Sequence, residues 1–425
     1  MRFALSVGIA LTFAVANPAT AQADSTRLLA RARAIHRAIP MIDTHNDLPD
    51  AIRERAQGDL AKMNPEQSLQ NIDTDFPRMK RGLVGGQFWS AYVPASLVKG
   101  GGASHALEEI DIIHRMVAQS PSLAFARTAA DIVRIHRAGR IASLIGIEGG
   151  YAIENSLANV RMFADLGVRY MTLTHGGNTL WADAATDAPV HGGLTRFGEE
   201  VVREMNRSGV MVDLSHVSDG TMSDALRVTE APVIFSHSSA RALTDHLRNV
   251  PDSILSQLAR NGGIVMVNIF PGFINAIAAK QAAGALEKER EFMAKYPADA
   301  KKASAEFLAW LSNMMSTMES GTLAEVADHV DHLVRIAGID HVGYGADFGE
   351  LTNHPKGLED VSRYPYLTAE LLRRGYTDAQ VGMIIGGNML RVMRRVEQVA
   401  TRLQRTRRAS AARIEDLDGR LAPTP

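Results

Sequence analysis

Val210-Met211-Val212-Asp213-Leu214-Ser215-His216, followed further along by Pro232-Val233-Ile234-Phe235-Ser236-His237, is the stretch that decides the fold. Residues 210–214 and 232–236 are short apolar runs without the strict alternation of a half-buried strand. Such runs read as strands covered on both faces, which is the habit of parallel sheets. Between them, residues 218–228 carry helical spacing. Each strand delivers a histidine just past its C-terminal end. Strand, helix, strand with both ends facing the same way is one βαβ unit.

The same unit recurs in both directions along the chain. Similar apolar runs occupy residues 40–43, 84–92, 141–147, 169–174, 263–269 and 341–346, which makes eight strands in all. Helical spacing lies between them at residues 106–118, 129–138, 155–166, 199–207, 254–260 and 323–337. Eight such repeats predict an α/β fold, a (β/α)8 TIM barrel. An open doubly wound sheet uses the same units, but no glycine-rich phosphate loop follows the first strand, so the barrel is favoured. Residues 275–318, rich in Ala, Lys and Glu, read as a helical insertion on the rim between the seventh and eighth strands.

The two ends of the chain differ from the repeat. Arg2, an apolar run over residues 3–16, a break at Asn17-Pro18 and the small residues Ala19 to Ala23 form a secretory signal peptide, with cleavage expected after Ala23. The run is too short to span a bilayer, so no stable membrane insertion is expected, and the mature protein is placed in the periplasm or outside the cell. The absence of Cys excludes a disulfide or a cysteine-linked lipid anchor. Residues 391–413 carry eight Arg and read as a solvated helix that frays into disorder. The division is therefore a signal peptide at 1–23, a barrel domain at 24–398 and an Arg-rich tail at 399–425. With 46 basic against 47 acidic residues, the net charge of -1 gives no reason to expect a nucleic-acid partner.

Polar residues fall at the strand ends. His45 and Asp47 follow the first strand, Glu148 ends the third, and His175 follows the fourth. His216, His237 and Asp347 follow the fifth, sixth and eighth. A barrel places all these ends on one mouth. A single His after a strand is more often a packing or capping residue than a ligand, but six strand ends bearing His, Asp or Glu are hard to assign to chance. Imidazole and carboxylate donors suit zinc, and there are too many for one tetrahedral ion. Two ions sharing a carboxylate use them sensibly, with Glu148 placed to bridge and Gly149-Gly150 behind it letting the backbone come close. No Lys occupies an equivalent strand end, which argues against a carbamylated lysine bridge. Asp213 reads as a supporting residue. His329 and His332 lie in a helix with an apolar stripe and read as flank residues, and His36, His105, His114, His136 and His341 as surface or packing residues.

At this point the chain resembles the renal or membrane dipeptidases, peptidase family M19, from about Ala34 to Gln398. Gly85-Gly86-Gln87-Phe88-Trp89-Ser90, Leu166-Gly167-Val168-Arg169-Tyr170, Arg248-Asn249-Val250-Pro251 and Gly357-Leu358-Glu359-Asp360-Val361 carry the resemblance beside the motifs above. It implies two Zn2+ per chain, one held by His45, Asp47 and Glu148, the other by Glu148, His216 and His237. It further implies that His175 contacts the substrate carbonyl and oxyanion, that Arg248 receives the free carboxylate of a dipeptide, and that Asp347 binds near the amino end and shuttles the proton. The implied reaction is attack of metal-bound hydroxide on the peptide bond of a free dipeptide. Family members commonly pair, so a homodimer stays open.

The chain departs from the family's pattern at two places. Asp347-Phe348-Gly349-Glu350 stands where Asp-Phe-Asp-Gly is usual, and Phe270-Pro271-Gly272-Phe273 offers no phenol. Both lie near the expected substrate pocket and bear on specificity. Two other readings stay open: a related binuclear amide hydrolase acting on β-lactams or N-acyl amino acids, and a non-catalytic periplasmic zinc- or peptide-binding protein.

Overall fold

The computed structural model describes residues 18–297, 299–349 and 353–419. The apolar run of the expected signal peptide and Glu350 lie outside the described residues. Nine strands are present among them: β1 (Met41–Asp43), β2 (Val84–Tyr92), β3 (Leu123–Phe125), β4 (Ile141–Glu148), β5 (Val168–Thr172), β6 (Met211–Asp213), β7 (Ile234–Phe235), β8 (Ile264–Val267) and β9 (Val342–Tyr344). All pair in parallel. The ladder runs β2, β1, β9, β8, β7, β6, β5, β4, and the pairing of β2 with β4 closes it into an eight-stranded barrel. These eight are the strands expected from the sequence. The ninth, β3, is additional: it pairs with Ile141 to Ser143 of β4, on the edge that β5 takes over from Ile145 onward.

Side-chain alternation sets what fills the ring. On β4, Leu144, Gly146 and Glu148 share one face, and Glu148 meets side chains that follow β1, β6 and β7. That face therefore looks into the barrel. A buried cluster of Ile42, Phe88, Leu144, Tyr170, Met211, Ile264 and Met266 fills the lower part. A second, larger cluster, with Trp89, Ile145, Ile147, Val212, Phe235 and Val265 on the opposite faces, packs the strands against the surrounding helices. Packing on both faces is why the strands lack alternation.

The insertion is helical, with helices Ala276–Ala282, Ala285–Lys295 and Ala300–Thr317. The Arg-rich C-terminal region differs from its expected solvated, fraying form. It is a helix, Asn388–Thr406, whose Met389, Val392, Met393, Val396, Val399 and Leu403 are buried. Several of them join the cluster inside the barrel and close its floor. The arginines mislead because Arg394, Arg395, Arg402 and Arg405 line the opposite, exposed face of an amphipathic helix. Beyond it, the Ser410 amide donates to Glu204 at 3.1 Å and Ile414 is buried, so the chain stays packed against the helix Arg196–Ser208.

Candidate metal centre

Because every barrel strand points its C-terminal end the same way, the seven strand-end residues singled out in the sequence lie at one mouth. Glu148 is at their centre. Its Oε2 is 3.4 Å from His45 Nε2, and its Oε1 is 3.0 Å from His216 Nε2 and 3.3 Å from His237 Nε2. Asp47 Oδ1 is 3.2 Å from His45 Nε2, and Asp347 Oδ1 is 3.7 Å from the same nitrogen. His175 Nε2 stands 3.7 Å from Glu148 Oε1, with its ring stacked on His216. Three sets of three at the mouth have ligand atoms close enough to hold an ion: His45 with Asp47 and Glu148, Glu148 with His216 and His237, and His45 with His237 and Asp347. Two ligand-bearing turns sit in the left-handed region, His216 at φ 66° and Asp347 at φ 69°, a conformation that non-glycine residues adopt at some energetic cost.

The donors fit a metal. His216 Nε2 and His237 Nε2 are 2.9 Å apart. The Ser236 hydroxyl donates its proton to Asp213 Oδ2 at 2.6 Å, so its oxygen accepts from His237 Nδ1 at 2.8 Å. That fixes the tautomer: His237 Nε2 carries a lone pair, aimed at the same space as Glu148. His45 Nδ1 is held by the Tyr170 hydroxyl at 2.9 Å, while its buried Nε2 has no hydrogen-bond partner. Burial pushes the Asp47 carboxyl well above the usual carboxylate range, and nearby Glu148 and Asp347 add to it against the pull of His45. Against the lowering by its burial, the surrounding Tyr170, Glu148 and Asp47 raise His45 well above the usual imidazole range, so the carboxylates already draw positive charge to this spot. A buried gathering of carboxylates and imidazoles of this kind calls for a cation.

The membrane dipeptidase family, peptidase family M19, matches residues 29–407. The chain belongs to this family. It is 40% identical over 381 residues to Dipeptidase 3 of Mus musculus, an alignment covering 88% of this chain and 68% of the relative. It is 41% identical over 378 residues to Dipeptidase 3 of Rattus norvegicus, with the same coverage. Among solved structures, the probable dipeptidase PvdM from Pseudomonas aeruginosa superposes with a TM-score of 0.76 at 25% identity, covering 88% of this chain and all of that one. Like its relatives, this M19 chain is a hydrolase with the fold of a (β/α)8 barrel.

Several residues of this family member that support the site were not singled out as such from the sequence. Tyr170 orients His45, Ser90 donates to Glu148 at 3.2 Å, and Asn268 donates to Asp347 Oδ2 at 2.9 Å. Asn268 directly follows β8, but the apolar run in the sequence extends through residue 269, which placed it inside the expected strand rather than at its end. The Tyr151 hydroxyl accepts from the amides of His175 and Gly177 and donates to the Gly177 carbonyl, which holds the His175 loop. Asp213 takes hydrogen bonds from Thr172, Ser236 and the Ser215 amide, a supporting role as expected.

Arg248 is buried at the mouth, over the Phe273 ring at 5.3 Å, with long contacts to Ser238 Oγ at 3.5 Å and the His237 carbonyl at 3.4 Å. Among the described residues no carboxylate pairs with it, and burial holds its guanidinium down to about 10. His329 and His332 are buried rather than on a flank; the first accepts from the Ala240 amide and the second meets Asp252 at 2.7 Å. Gly149 has a different reason from the one expected. At φ 113°, a Cβ on it would stand 2.6 Å from the Val93 carbonyl, so it relieves a backbone crossing.

Proposed function

We propose that this chain is a binuclear zinc dipeptidase acting on free dipeptides. The observation that carries the reading is the two-sided Glu148 carboxylate, with one oxygen toward His45 and the other toward His216 and His237. His45, Asp47 and Glu148 would hold one Zn2+, and Glu148, His216 and His237 the other. Zinc bound there supplies a water of lowered pKa as nucleophile and polarises the scissile carbonyl. Asp347, anchored by Asn268 on the side of the cluster nearest His45, takes the proton released during attack and returns it to the leaving amine. His175, held neutral by burial, donates a hydrogen bond to the oxyanion as charge develops there. Arg248 pairs with the C-terminal carboxylate of the substrate, which restricts the site to peptides whose second residue is the last. Export forms part of the same proposal. Cleavage after Ala23 removes only residues upstream of Ala32, a buried residue of the helix Pro18–Ala38.

The test counts metals per chain in the purified protein and measures turnover of L-L, L-D and C-terminally amidated dipeptides. Two zincs, hydrolysis of free dipeptides far faster than of amidated ones, and loss of both zinc and turnover in Glu148→Gln are expected. No turnover of any dipeptide with two zincs bound would overturn the reading in favour of another amide hydrolase.

A further inference from the structure

A second group of ligand-bearing side chains lies where the helix Leu48–Ala56 packs on the helix Gly102–Gln119, and it shares no residue with the barrel-mouth cluster. Asp50 stands in the first turn of the former helix. His105 and Glu109 are four residues apart on the latter and so share a face. One ligand atom from each of the three lies within 4.8 Å of the others. Side chains that bind zinc at about 2.0–2.2 Å can draw together from such a spacing.

The independent sign of a ligand is the state of the buried atoms. Glu109 has 0% side-chain exposure, and neither carboxylate oxygen has a hydrogen-bond partner. His105 Nε2 is likewise shielded from solvent without a partner. Arg53 does not fill the gap. Its guanidinium hydrogen-bonds to Glu54 at 2.5 Å and Glu108 at 3.2 Å, and approaches Glu109 Oε1 only to 3.7 Å. A buried carboxylate without a donor is unfavourable by several kcal/mol in order of magnitude (~2–7), so a native protein that keeps one has a use for it. Burial and the Asp50 carboxylate beside it push Glu109 well above the ordinary carboxylate range, and burial lowers His105, leaving its imidazole neutral. Either a proton shared between the two carboxyls or a cation resolves this. The imidazole, which a shared proton does not require, favours the cation.

We propose that Asp50, His105 and Glu109 form a further metal site, for a divalent transition ion of the zinc class. One imidazole and two carboxylates are a donor set that zinc accepts. The site has a structural consequence for the barrel mouth. Asp47 is the N-cap residue of the helix that holds Asp50 in its first turn. An ion bridging the two helices therefore fastens the element that carries Asp47.

The experiment compares the purified full chain with Glu109→Gln and His105→Asn after equilibration with Zn2+ and removal of the free ion. The readout is zinc per chain by mass spectrometry. Each variant is expected to hold one zinc fewer than wild type. This difference does not depend on how many ions the barrel mouth holds. Should the variants not fold, crystals of the wild-type protein soaked in Zn2+ and measured at the zinc edge decide the matter, with an anomalous peak expected between the three side chains. Equal zinc in wild type and both variants, or no peak between these residues, overturns the proposal and assigns the pair to a shared proton.

Discussion

Arg248→Met should raise thermal stability while abolishing the preference for a free C-terminus. The reasoning starts from burial. The side chain is 4% exposed, its two hydrogen-bond contacts are at 3.4 and 3.5 Å, and burial brings its guanidinium down from its ordinary value to about 10. That depression corresponds to about 3 kcal/mol of lost solvation. Methionine has a similar reach, keeps the packing on Phe273 and carries no charge to desolvate. A rise in melting temperature of a few degrees should follow, as about 3 kcal/mol is a large part of a typical folding free energy. On the substrate side, losing a buried charge partner removes ~2–5 kcal/mol, so kcat/KM for a free dipeptide should fall by roughly 30-fold to several thousand-fold. The amidated dipeptide never made that ion pair and should be hydrolysed at the wild-type rate, so the ratio between the two substrates collapses. Differential scanning fluorimetry with paired kcat/KM measurements on both substrates reads both effects. An equal loss on free and amidated dipeptides, or a melting temperature several degrees lower, would refute the assignment and make Arg248 a structural residue.

Three other outcomes are expected. Tyr170→Phe removes the partner of His45 Nδ1 and should weaken metal retention on the order of 10-fold to 100-fold in a chelator titration, with turnover largely restored by excess zinc. His36 is buried, bonded to Thr368 Oγ1 at 2.8 Å, and lowered by burial from 6.5 to about 4. The unfolded chain therefore takes up this proton first as pH falls: the stabilisation is complete above 6.5, declines towards about 4 and is flat below, an effect of about 3 kcal/mol that urea midpoints in His36→Gln should no longer show. Gly149→Ala meets both a positive φ and the Val93 carbonyl at 2.6 Å, and should destabilise by roughly 2 kcal/mol or more in chemical denaturation.

The ring was legible because its strands are buried on both faces, which writes them into the sequence as plain apolar runs. β3 was not, since Leu123-Ala124-Phe125 is too short to stand out and only its pairing beneath β5 makes it a strand. The strand-end rule located the seven polar residues of the mouth because parallel strands convert chain position directly into spatial position. The same rule said nothing about Tyr170, which lies within β5 and acts on His45 beyond β1, or about Ser236, which directly follows β7 and acts on its neighbour His237. Arg248 is in a loop beyond β7, where only the resemblance to a family gave it meaning. In the C-terminal helix, composition hid the pattern: many arginines drew the eye from the apolar positions between them.

That helix also sets an order of events. The residues that line the lower barrel, such as Phe88, Leu144 and Met266, come from the first two thirds of the chain, yet Met389, Val392 and Val396 cover them only after nearly all of it has been synthesised. Until then the ring has an open, greasy underside, and contacts of such long sequence separation form slowly. A nascent chain of this protein therefore completes its lower core only once the C-terminal helix has been made.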